Sequence, residues 1–116
     1  MEEGNRLIEG KYRGLQTITL FDGININVVE KFLFLEIKKI ENTPNTYLLF
    51  YSSDNTFDNI NELMTLGNII EGRLVNIAPS SLYSTYNLID DKLVHNFFGI
   101  QDNIQKSGTG ILERYY

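Results

Sequence analysis

Hydrophobic and polar residues alternate along most of this chain with a period of two, the mark of strands that bury one face. Gly10 to Phe21 places Tyr12, Gln16, Ile18 and Leu20 on one side and Lys11, Arg13, Thr17 and Thr19 on the other. Asp22-Gly23 then reads as a hairpin turn. Ile24, Ile26 and Val28 continue the alternation, but at Val28-Val29 the apolar series slips by one position and resumes through Leu33, Leu35 and Ile37. Such a slip predicts a β-bulge and a curling sheet.

The densest apolar stretch, Lys31 to Ser53, predicts two strands around a turn at Asn42-Thr43-Pro44-Asn45, because proline suits a loop and cannot donate to a ladder. Closing that four-residue loop places Ile37 opposite Phe50 and Lys39 opposite Leu48. One face then carries Leu33, Leu35, Ile37, Leu48 and Phe50. The other carries Phe34, Ile40, Tyr47, Leu49 and Tyr51, so both faces call for cover. Two covers are open: a helix of the chain itself, or a second copy of the protein.

The helix expected is short, about residues 57–66. Phe57, Ile60, Leu63 and Met64 share a helical face, Asn59 with Glu62 resembles a capping pair, and Gly67 is a stop signal. Beyond it, Ile69 to Ile77 reads as one strand bent at Gly72. Leu82 to Ile100 reads as a hairpin turning at Asp90-Asp91, with Tyr86 opposite His95 and Leu88 opposite Leu93. Its inner face is assigned to Leu82, Ser84, Tyr86, Leu88, Leu93, His95 and Phe97. A polar loop, Gln101 to Ser107, leads to a last strand from Gly108 to Tyr116, and Glu2 to Glu9 reads as a frayed lead-in. The sum is mainly β: an antiparallel up-and-down meander of about seven or eight strands closing into a small barrel.

The ends of the chain carry a resemblance. Gly10-Lys11-Tyr12 on the first strand and Arg114 on the last resemble the lipocalin-like (calycin) pattern, in which a Gly-x-Trp packs near a basic residue of the final strand. Tyr stands here where that family has Trp. The resemblance implies a barrel closed at one end, with ligand binding in its interior.

Composition narrows the choice. At 116 residues the chain is expected to be a single domain, 1–116, with a substantial core. It holds no cysteine and one histidine, which removes thiolate chemistry, disulfides and any site needing a histidine pair. A net charge of −5 and scattered basic residues argue against nucleic-acid partners. The polar, acidic start lacks the form of a signal peptide and no run of about 18 apolar residues occurs, so a cytoplasmic protein without a membrane partner is expected.

Candidate chemistry is sparse. No metal or cofactor site is expected, and no catalytic residue is assigned. Asp90-Asp91 reads as a turn, Ser80-Ser81 lacks a nucleophile elbow, and Gly108-Thr109-Gly110 is too short to cradle a phosphate. An enzyme reading would use Tyr86, His95 and Glu113 as acid and base, and has the least support. Tyr12, Gln16, Ser84, Tyr86 and His95, joined by Arg114, are the candidate ligand-binding residues, a few polar groups set in an apolar wall. Two functions stay open: a binder of a small apolar or aromatic molecule in the barrel interior, or a protein-protein module or homodimer using the hairpin 31–53.

Overall fold

A computed structural model describes residues 8–52, 63–77 and 82–115. It contains eight antiparallel strands: β1 (Gly10–Phe21), β2 (Ile26–Lys39), β3 (Thr46–Ser52), β4 (Leu63–Ile70), β5 (Arg73–Ile77), β6 (Leu82–Ile89), β7 (Lys92–Gln101) and β8 (Ile104–Tyr115). Each pairs with its neighbour in sequence, and β8 pairs with β1, closing a barrel. Closure leaves no free sheet edge, and it gives every strand an inner and an outer face.

The chain turns tightly because its loop residues tolerate positive φ. Glu71-Gly72, Asp90-Asp91 and Asp102-Asn103 each have both residues in the left-handed region, as a two-residue hairpin loop with the correct twist requires. At Asp90-Asp91 the expected turn and register are present, with Tyr86 opposite His95 and Leu88 opposite Leu93. Elsewhere the turn chemistry corrects the reading of the sequence. Glu71-Gly72 separates two paired strands where one bent strand was expected. Asp102-Asn103 shrinks the expected polar loop 101–107 to two residues, so β7 and β8 run almost to the turn.

Two further expectations fail for identifiable reasons. The β2–β3 register is one residue off: Ile37 faces Leu49 and Lys39 faces Tyr47. Ile40 N donates to Thr46 O at 3.0 Å, and Asn42 and Asn45 both adopt positive φ, so the loop has five residues rather than four. Because side chains alternate with period two, that single residue exchanges the faces of β3. Leu35, Ile37, Tyr47 and Leu49 all point inward and are fully buried, leaving Leu48 and Phe50 outside. Register therefore decides which of the hairpin's two apolar sets forms the core, and Phe34, Leu48 and Phe50 lie half-buried on the other face.

The bulge at Val28-Val29 is also absent, since β1 and β2 pair without interruption from Gly10 opposite Ile37 to Phe21 opposite Ile26. Ile26 and Val28 consequently lie on the outer face, 67% and 61% exposed.

Of the expected helix 57–66, residues 57–62 lie outside the described residues. Leu63 to Leu66 belong to β4, paired with β3 from Tyr51 opposite Leu63 to Thr46 opposite Asn68. Here strand pairing overrides an apolar spacing that fits a helix equally well. Gly67 sits within that strand, facing Tyr47.

One end of the barrel is sealed. Arg114 faces Tyr12 across β1 and β8, its guanidinium lies 5.1 Å from the centre of the Tyr12 ring, and its Nη1 donates to Glu9 O at 2.9 Å. Tyr12 Oη donates to Ile8 O at 2.8 Å, and Lys39 N donates to Glu9 Oε2 at 2.7 Å. Ile8 is buried. The end of the expected frayed lead-in is thus held in place. Above this plug Leu35, Ile37, Tyr47, Leu49, Leu74, Leu93 and Leu112 form a continuous core.

Packing should therefore be costly to disturb in this half and tolerant in the other. Leu49→Ala is expected to lower unfolding free energy by about 2–5 kcal/mol, and Leu20→Ala, on the partly exposed inner face of the far half, by less than about 1.5 kcal/mol. Urea denaturation of both variants tests the contrast.

Candidate functional site

Above the core the inner face changes character. Gln16, Ser52, Thr65, Asn76, Ser84 and His95 are all buried, and together with the hydroxyls of Tyr51 and Tyr86 they form a polar layer across the lumen. Buried polar groups are costly unless paired, so their partners define the site. Asn76 Nδ2 donates to Thr65 Oγ1 at 2.8 Å and lies 3.5 Å from Tyr51 Oη, which hydrogen-bonds to Tyr86 Oη. Burial pushes the Tyr51 hydroxyl upward and the Tyr86 hydroxyl well above its usual range, so both keep their protons.

His95 is the centre of this layer. Its ring stacks on Tyr86 with centroids 4.4 Å apart and planes within 4°, and meets the Phe97 ring at 5.4 Å. Nδ1 lies 2.5 Å from Gln16 Oε1. Because a carbonyl oxygen can only accept, Nδ1 carries the proton and Nε2 presents a lone pair. Burial lowers the ring's pKa to about 4, which keeps it neutral near neutral pH. Nε2 is buried without a hydrogen-bond partner in the described structure.

Glycines on β8 make this arrangement possible. Gly110 pairs with His95 on one side and with Gln16 on the other, so it lies between two side chains that bond across it. A Cβ at Gly110 would sit 3.1 Å from Gln16 Cγ and 2.9 Å from Leu15 O. At Gly108 a Cβ would lie 2.2 Å from the Phe97 ring, which occupies that space instead. The Gly-Thr-Gly segment is thus the floor on which Phe97 and the Gln16–His95 contact rest. The sequence signal was its two-residue glycine spacing on a strand, which puts both glycines on one face.

Beyond the polar layer lies a cavity of about 480 Å3. Ile18, Leu20, Val29, Leu33, Leu82 and Phe97 supply apolar wall, Gln16, Ser52, Tyr51, Ser84 and His95 line it from the polar layer, and Lys31 and Lys106 border it as well. A shallower outer depression of about 850 Å3 lies between Thr19, Phe21, Phe98, Ile100 and Ser107. Those side chains belong to the outer faces of β1, β7 and β8, and Lys106 borders both this depression and the lumen cavity.

Of the residues singled out in the sequence, the structure brings Gln16, Ser84 and His95 together on the cavity wall, with Tyr86 stacked behind His95. Tyr12 and Arg114 meet each other at the sealed end, away from this cavity. Glu113 lies on the alternate face of β8 and is exposed, whereas Tyr86 and His95 are buried. Lys31, Lys106, Ser52 and Tyr51 were not foreseen as lining, because a lysine on an alternating strand reads as a wet face. Among the described residues no cluster of three or more histidine, cysteine or acidic side chains could hold a metal ion.

The barrel has a solved counterpart. A crystal structure of the zebrafish ileal bile acid-binding protein complexed with cholic acid matches it with a TM-score of 0.53, covering 94% of this chain and 99% of that one at 12% sequence identity. The likeness is one of fold, a closed antiparallel β-barrel. No family model matches the sequence, and no curated protein matches it. Among the described residues no helix is long and apolar enough to cross a membrane.

The buried neutral histidine predicts a specific pH dependence. Its pKa is lower folded than unfolded, so the unfolded chain binds more protons between about pH 6.5 and 4, and stability must fall as pH drops through that window. Relative to His95→Phe, the native protein should lose about 3 kcal/mol of stability between pH 7 and pH 4. Paired denaturation curves at several pH values measure the difference. A constant difference would show that the ring is already solvated.

Proposed function

We propose that this protein binds one small, largely apolar or aromatic molecule in the open half of its barrel. The observation that carries this reading is the lumen cavity of about 480 Å3, walled by apolar side chains and backed by a few fixed polar groups. That size and make-up fall within the range usual for small-molecule sites. The sealed end and dense core account for half of the inner face, and the hollow lies in the other half. The bile acid-binding protein of similar fold, complexed with cholic acid, supports the choice of a small-molecule ligand. Gln16, Ser84 and His95 are the contacts assigned to its polar groups, and Tyr86 holds the His95 ring in place.

A second reading draws on the outside of the barrel. Ile24, Ile26, Val28 and Phe32 are exposed along β2 and the turn before it, with Leu15 on β1 opposite Phe32. Exposed apolar side chains gathered on one outer face, here interrupted by Glu30, are a feature of protein-protein surfaces. It replaces the hairpin 31–53 as the surface on which a homodimer or another partner would dock.

Native mass spectrometry separates the two, since a retained ligand adds mass to the monomer and self-association doubles it. For the lumen reading, Ile18→Trp fills the cavity from its own wall. It should weaken binding of a neutral apolar dye such as Nile red by at least about ten-fold, with the fold retained by circular dichroism. Unchanged dye binding in that variant would remove the lumen as the site.

A further inference from the structure

The polar layer dictates what the inner end of such a ligand must be. The His95 ring stacks on Tyr86 and lies beside the Phe97 ring, and one of its edges is taken by Gln16. The ring also lines the cavity and is only 3% exposed. The remaining edge carries Nε2, a buried nitrogen with no hydrogen-bond partner. We propose that His95 Nε2 is a hydrogen-bond acceptor for the ligand, so that the molecule bound here carries a hydroxyl or N–H group at its buried end. This rests on the lumen reading above and narrows its ligand class.

The tautomer is set from outside the ligand. Gln16 Oε1 holds the proton on Nδ1, and Gly110 leaves the space through which the amide reaches the ring. The stack on Tyr86 and the bond to Gln16 hold the ring's plane and its orientation, so Nε2 is not turned toward another partner. Leaving a buried acceptor unpaired costs more than an ordinary hydrogen bond gains, so an isostere without a donor is disfavoured. An ether or hydrocarbon end would leave the lone pair unanswered. A carboxylate there would set a negative charge against a lone pair; the lysines bordering the cavity, Lys31 and Lys106, are where an anionic group finds positive charge.

The test compares two isomers that differ in the donor alone, decanol and methyl nonyl ether, as competitors for bound Nile red. On the unmodified protein decanol should compete about ten-fold better, the equivalent of one hydrogen bond. In His95→Phe, which keeps an aromatic ring in the stack, decanol should lose its advantage over the ether, so that the two compete equally. The chain has a single histidine, so its Nε2 signal in nitrogen NMR is assigned without ambiguity. It should shift on saturation with decanol and stay in place with the ether. Equal competition on the unmodified protein, with no Nε2 shift, would overturn the role of His95 and leave lumen binding intact. Competition by neither compound would overturn the lumen reading itself. The measurements on the unmodified protein decide the matter even if the variant fails to fold.

Discussion

The pairing of the first strand with the last is the constraint on which everything else depends. Without β1 against β8 the sheet would keep two open edges, and its apolar face would have nothing opposite it. With it, the same face becomes an interior, and residues far apart in sequence meet across it. Gln16 and His95, 79 positions apart, bond over Gly110, and Tyr12 meets Arg114 at the sealed end. Closure also explains the glycines of β8, since a strand between two inward-facing neighbours must give way where their side chains touch.

The lumen is then divided by bulk. Three tyrosines, Tyr12, Tyr47 and Tyr86, together with six Leu and Ile side chains, are the large groups that fall fully buried. They fill the sealed half so completely that the remaining space collects at the other end. Between the two lies a polar layer that an apolar core of this size does not need for stability. Its hydrogen bonds compensate the cost of burying it, and they hold it in a fixed arrangement beneath the cavity. On the proposed function, these polar groups beside the hollow are the floor on which the ligand rests.

The outer surface tells a different story about the same alternation. On β2 the uninterrupted pairing with β1 sends Ile26 and Val28 outward and Lys31 toward the cavity. Hydrophobicity read along the strand would place them the other way round. A ladder with one fixed register cannot shift a single position to satisfy local preference without displacing every pair along it. That is why an apparent bulge in the sequence pattern became an exposed apolar stripe.

How much was legible in the sequence follows from which interactions are local. The period-two alternation predicted a mainly β meander, and Asp90-Asp91 determined a turn whose residues tolerate positive φ, so the β6–β7 hairpin and its inner face, including Ser84, Tyr86, His95 and Phe97, could be assigned from residues alone. The inner face of β1, with Tyr12 and Gln16, was equally clear. The β2–β3 register was not, because a five-residue loop closed by two left-handed asparagines differs from a four-residue loop by a hydrogen bond that only the folded chain makes. Nor was the strand character of Leu63 to Leu66, where helical and extended spacing coincide and pairing with β3 decides. The cavity was the least legible of all. Its existence depends on how side chains from eight strands share one volume, and on Gly108 and Gly110 yielding room to their neighbours. Local pattern therefore determined which residues face inward, and only tertiary closure decided which of them touch and where they leave a space.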